Sequence, residues 1–67
     1  MITITVNGDE KLIAPNTKVW RFLSDLGLDP QKVAVECNLE IIPKSTFKEA
    51  VLMNGDAIEI VHFIGGG

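Results

Sequence analysis

The 67-residue chain ends in Gly65-Gly66-Gly67, directly after the alternating apolar run Ala57-Ile58-Glu59-Ile60-Val61-His62-Phe63-Ile64. Glycine has no Cβ, so three in succession have little to pack with and favour no regular structure. Fold stability gives no reason to place them there. A slender tail that presents an unhindered carboxylate on Gly67 suits another purpose. A partner enzyme can thread it, Gly65 and Gly66 included, into a narrow active site and act on that carboxylate. The plain alternative is a frayed end without function, because glycine-rich termini are common. A phosphate cradle is not expected, since that device needs a helix after its glycines and usually a lysine.

The other residues able to do chemistry are few. Cys37 is the one cysteine, and its spacing from Val33 and Val35 puts it on their face of a strand. There it reads as a small buried hydrophobe. A persulfide relay would need an exposed, electropositive setting instead. His62, in the last apolar run, reads as a partly exposed structural histidine rather than a ligand or catalyst. One cysteine and one histidine without ligand spacing give no metal site. No grouping of serine, histidine and carboxylate suggests a triad. A catalytic site of its own, or a tightly held cofactor, is not expected.

Composition narrows the partners. Apolar residues make up 46% of the chain and charged residues 22%, which suits one small folded domain rather than a disordered segment. A domain of this size buries only about 60% of its unfolded surface, so modest stability is expected. The formal net charge of −3, with lysines and arginines scattered singly, leaves no basic cluster for nucleic acid or an anionic membrane. No apolar run reaches the roughly 20 residues of a membrane span. With no secretory signal before the first apolar segment and no possible internal disulfide, a soluble cytoplasmic domain is expected.

The elements that must position the tail follow from periodicity. Met1 to Val6 alternates, with Ile2, Ile4 and Val6 on one face, and predicts a half-buried strand. Asn7-Gly8 is a hairpin turn signal, and a return strand is expected over about Lys11 to Ala14, stopped by Pro15. Asn16 or Thr17 can cap a helix whose apolar stripe is Val19, Phe22, Leu23 and Leu26. Gly27 ends that helix, and Asp29-Pro30 rules out its continuation. Val33 to Cys37 reads as a third strand, Asn38-Leu39-Glu40 as a tight turn, and Ile41-Ile42 as a short strand ended by Pro43. Residues 44–53 admit a helical turn and a loop that carries Phe47, Val51 and Leu52 into the core. Asn54-Gly55-Asp56 is a further turn before the last strand, Ala57 to Phe63.

A hairpin, one helix, two short strands and a final strand give an α+β layer, with the first and last strands as central neighbours. This is the β-grasp, or ubiquitin-like, fold: a mixed sheet of four to five strands on one main helix. Residues 1–64 form the domain and residues 65–67 its glycine tail. If Ile58 and Ile60 face the helix, Glu59, Val61 and Phe63 face away. Val61 and Phe63 then form an apolar patch next to the tail, suited to docking a partner, although single exposed hydrophobes are also ordinary. Trp20 lies just outside the helical stripe and is expected to pack, half-buried, at the sheet edge.

On these residues the chain resembles the sulfur carrier proteins of thiamine biosynthesis, the ThiS family. The resemblance rests on Asn38-Leu39-Glu40-Ile41-Ile42-Pro43-Lys44, Phe47, Asn54-Gly55-Asp56-Ala57-Ile58-Glu59-Ile60 and the terminal Gly66-Gly67. It implies a carrier rather than an enzyme. An E1-like adenylyltransferase would convert the Gly67 carboxylate to an adenylate, and a sulfur donor such as a cysteine desulfurase would convert that to a thiocarboxylate (1-thioglycine). Thiazole synthase would then take the sulfur. Rival readings are the small subunit of molybdopterin synthase, another ubiquitin-like sulfur carrier or protein modifier, and a plain interaction domain.

Overall fold

The computed structural model describes residues 1–63. In chain order these form strands β1 (Ile2–Val6) and β2 (Asp9–Ile13), helix α1 (Val19–Asp25), and strands β3 (Val33–Cys37), β4 (Glu40–Ile41) and β5 (Ala57–His62). Two single 3₁₀ turns, Pro30–Lys32 and Lys44–Thr46, lie in the connections. The strands make one sheet in the order β2-β1-β5-β3-β4. β1 and β5 run parallel at its middle, and the remaining pairs are antiparallel. The expected β-grasp is what the chain adopts. The expected boundary between residues 64 and 65 lies outside the described residues.

Turn chemistry sets the strand limits. Asn7 and Gly8 both have positive φ, 50° and 87°, which is the backbone of a two-residue hairpin turn matched to strand twist. Val6 therefore pairs directly with Asp9, and β2 starts there rather than at the expected Lys11. The same geometry recurs at Asn38 and Leu39, with φ of 53° and 71°. It pairs Cys37 with Glu40 and shifts the short strand from Ile41-Ile42 to Glu40–Ile41. Leu39 has no conformational excuse for this backbone, which costs an L-residue about 1–2 kcal/mol.

The start of α1 differs from expectation. Neither Asn16 nor Thr17 caps it; Lys18 holds the capping position and makes no side-chain bond to the helix. The N–H groups of Val19 and Trp20 donate instead to the carbonyls of Ala50 (2.9 Å) and Phe47 (3.0 Å). A distant loop thus satisfies donors that a local side chain would normally take. The far end follows the sequence: Gly27, at φ 77°, donates to the Ser24 carbonyl while Leu28 donates to that of Leu23, each at 2.9 Å. This pair of bonds around a left-handed glycine closes the helix. Leu26 stays partly exposed, so the buried stripe narrows to Val19, Phe22 and Leu23.

These three side chains meet Ile4, Val6, Val33, Val35 and Ile58 from the sheet, with Phe47 and Leu52 closing the core from the loop between β4 and β5. Val51, expected inside, is partly exposed and forms an isolated bridge with Lys18. The reason is alternation: Leu52 donates to the Thr17 carbonyl at 2.9 Å and turns inward, so its neighbour faces out.

Two stability outcomes follow. Leu39→Gly relieves the positive-φ strain and should raise stability by about 1 kcal/mol. Ile58→Ala opens a cavity under the central strand and should lower it by about 2–5 kcal/mol. Chemical denaturation measures both; a destabilised Leu39→Gly protein would contradict the turn assignment.

Candidate functional site: the outer face of the central strand

β5 has the middle place in the sheet, so its two faces meet different worlds. Ile58 is 1% exposed and packs under α1, and Ile60 is half-buried on the same side. On the opposite side Glu59 is exposed, Val61 is 61% exposed and Phe63, just past the strand, 47%. The sequence-derived register is therefore the observed one. Strand pairing enlarges the patch, because Ala34 lies beside Val61 and Glu36 lies between Glu59 and Ile41. Ile41 is 72% exposed. The outer face thus carries Ala34, Ile41, Val61 and Phe63, with Glu36 and Glu59 set among them.

Side-chain amides hold this strand in place. β1 ends at Val6, opposite Ile58, while β5 runs on to His62. The pairing continues through Asn7. Its Oδ1 accepts from the Ile60 N–H at 2.8 Å, and its Nδ2 donates to the Ile60 carbonyl at 3.2 Å. At the start of β5, Asn38 Oδ1 accepts from the Ala57 N–H at 3.0 Å, while its Nδ2 donates to Asp56 Oδ1 at 3.0 Å. Asp56 Oδ2 in turn accepts from the Met53 N–H at 2.8 Å. Asn54 Oδ1 takes the Thr3 N–H at 2.9 Å. Beyond the strand, the Phe63 N–H donates to the Lys32 carbonyl at 2.8 Å. Strand, preceding turn and the residue just past the strand are all held by hydrogen bonds to backbone groups.

Cys37 is half-buried against the core, as its face predicted. Burial pushes its thiol up to about 11, and the nearby Asp56 carboxylate adds to the effect. That is the reverse of the setting a reactive thiol needs. His62 is exposed on the helix side of β5, beside a shallow groove that also meets Asp9, Lys11, Leu26 and Leu28. Trp20 is partly exposed as expected and borders two shallow hollows, one with Pro30, Lys44 and Phe47 and one with Ala14, just past the edge strand β2. Among the described residues no group of histidine, cysteine and carboxylate side chains could hold a metal ion. No helix there is long and apolar enough to cross a membrane. The site residues Gly65, Gly66 and Gly67 lie outside the described residues. Reading residues in sequence missed Asn7 and Asn38 as strand anchors: each was visible only as the first residue of a turn.

A five-stranded β-grasp whose central strand runs towards a glycine tail defines the class of small ubiquitin-like domains. Within that class the model of the ThiS family matches residues 3–67, and the chain belongs to the ThiS family. It is 49% identical over 45 residues to the sulfur carrier protein ThiS of Bacillus subtilis, covering 67% of this chain and 68% of that one. It is 47% identical over 64 residues to a thiazole synthase of Paramagnetospirillum magneticum, a match to 96% of this chain. The chain spans only 20% of that protein's length, and the same share of a thiazole synthase from Magnetococcus marinus at 42% identity. The crystal structure of a thiamine biosynthesis protein (ThiS) from Geobacter metallireducens superposes with a TM-score of 0.84 at 33% identity, over 98% of this chain and 100% of that one.

The thiol's environment gives a pH test. With its ionisation near pH 11, only about one Cys37 in ten thousand is a thiolate at pH 7. Alkylation by iodoacetamide should therefore be slow at neutral pH and rise about tenfold per pH unit up to pH 10. A plateau near pH 8.5 would show an ordinary, accessible thiol.

Proposed function

We propose that this chain is a sulfur carrier for thiazole formation in thiamine biosynthesis, acting as a co-substrate of other enzymes rather than as a catalyst. The observation that carries the reading is the family match through residue 67, joined to an apolar outer face immediately before the tail. Similarity to the Bacillus sulfur carrier and to the Geobacter thiamine biosynthesis protein supports the same assignment. In the two thiazole synthases, a segment like this chain makes up about a fifth of the protein. That supports a thiazole synthase as the sulfur acceptor.

The chemistry asks little of the domain itself. A carboxylate resists nucleophilic attack until one of its oxygens is made part of a good leaving group. An E1-like enzyme would bind ATP, direct the Gly67 carboxylate onto the α-phosphate and release pyrophosphate, leaving a glycyl adenylate. The outer sulfur of a protein persulfide, the form in which a donor such as a cysteine desulfurase supplies it, would displace AMP to give an acyl disulfide. A thiol reductant would cleave that S–S bond, itself becoming oxidised to a disulfide, and leave a thiocarboxylate on Gly67. Thiazole synthase would consume that sulfur and return the carboxylate. Nucleotide and metal binding belong to the partners in this scheme. The domain supplies recognition through Val61 and Phe63, a rigid strand that fixes where the tail begins, and Gly65 and Gly66 narrow enough to enter an active site.

With the adenylating enzyme and α-labelled ATP, label should transfer to this chain and fail to transfer to a form lacking Gly67. Labelling of both forms, or of neither, contradicts the proposal. Phe63→Ser should weaken binding to that enzyme by about 1–3 kcal/mol if the ring sits near the centre of the contact, with the thermal melt nearly unchanged. A Phe63→Ser protein that unfolds would place the ring in the core and remove the docking face.

A further inference from the structure

Pro43-Lys44 contributes neither to the buried core cluster nor to the tail chemistry, yet it leads to a specific contact. Pro43 opens the 3₁₀ turn, and its carbonyl accepts from both the N–H and the hydroxyl of Thr46, at 2.9 and 2.8 Å. The Lys44 carbonyl accepts from the N–H of Phe47 at 3.1 Å, and Phe47 is buried. The Phe47 carbonyl in turn receives the N–H of Trp20 at the start of α1. The backbone of Lys44 is therefore clamped between core and helix, although its ammonium lies at the surface.

That ammonium has two neighbours. Nζ donates to the Gln31 carbonyl at 3.0 Å, and it stands 5.2 Å from the centroid of the Phe63 ring. The second distance is within the range of an attractive cation–π contact. The next carbonyl along, that of Lys32, holds the Phe63 N–H. Successive carbonyls of one 3₁₀ turn thus fix the Phe63 peptide directly and its ring through Lys44. An exposed aromatic side chain at the end of a strand otherwise samples several rotamers, and a partner must select one.

We propose that Lys44 is a positioning residue for carrier activation: it holds the Phe63 ring in the orientation that the adenylating enzyme receives, so that the docking face is formed before the encounter. This rests on the carrier reading above. The contact lies outside the tail, takes no part in acyl transfer and acts only through the ring.

The test uses the full chain with its adenylating enzyme. Lys44→Met keeps an unbranched side chain, one atom shorter, and removes the charge together with the donor to the Gln31 carbonyl; Lys44→Arg keeps a cation. In adenylation, Lys44→Met should raise KM about two- to fivefold, the range of an exposed cation–π contact, and leave kcat unchanged. Lys44→Arg should restore KM, and in a Phe63→Leu background Lys44→Met should change it much less. The ring-proton signals of Phe63 should move in Lys44→Met while core signals stay in place. An unchanged KM, or an equal rise with and without the ring, overturns the proposal. If the wild-type chain is not adenylated at all, the carrier reading fails separately. The ring signals then decide alone: if they are unaltered in Lys44→Met, Lys44 does not position Phe63, and if they move, the positioning contact stands.

Discussion

Placing β5 in the middle of the sheet imposes the constraint from which the remaining features follow. A central strand has partners on both edges, so its backbone cannot shift, and its side chains must divide between two faces with a period of two. Ile58 and Ile60 take the face under the helix. Val61 and Phe63 are then forced outward, whatever their preference for water. A one-residue slip would bury Glu59 and expose Ile58, a loss the small core could not offset. The apolar face is therefore a consequence of the same alternation that makes the core.

Fixing that strand falls largely to asparagine. A two-residue hairpin turn needs positive φ, which Asn tolerates better than most residues. Asn7 and Asn38 satisfy that need and then direct their amides to Ile60 and Ala57, one towards each end of β5. An amide carries both a donor and an acceptor, so it can stand in for a missing strand residue. Asn7 does this where β1 has already turned away. Replacement by Gly would keep the turn and lose the anchor.

Much of the fold could be read from the residues because its signals are local. The alternation of Ile2, Ile4 and Val6, the glycine after α1, and the inward face of β3 each depend on a few neighbouring positions. The failures share a different cause. α1 begins without a local cap because the carbonyls of Phe47 and Ala50, far along the sequence, accept its first N–H groups. Val51 turned outward because Leu52 bonds the Thr17 carbonyl. The limits of β2 and β4 moved because the two hairpin turns are as short as turns can be. Long-range hydrogen bonds leave no periodic trace, and neither does the contact between Lys44 and Phe63. The outward placement of Val61 and Phe63, by contrast, was legible, since strand period alone sets it.

The central claim is that this domain delivers a chemical group on its last residue and performs no catalysis itself. Intact-mass spectrometry of the protein isolated from its native cell, followed by fragmentation to locate any change, tests it most directly. The account predicts a population heavier by the difference between one sulfur and one oxygen atom, with the change confined to Gly67 and lost on mild hydrolysis. A protein whose Gly67 carries only oxygen under thiamine-limited growth, or is joined through its carboxyl to a lysine of another protein, would contradict it.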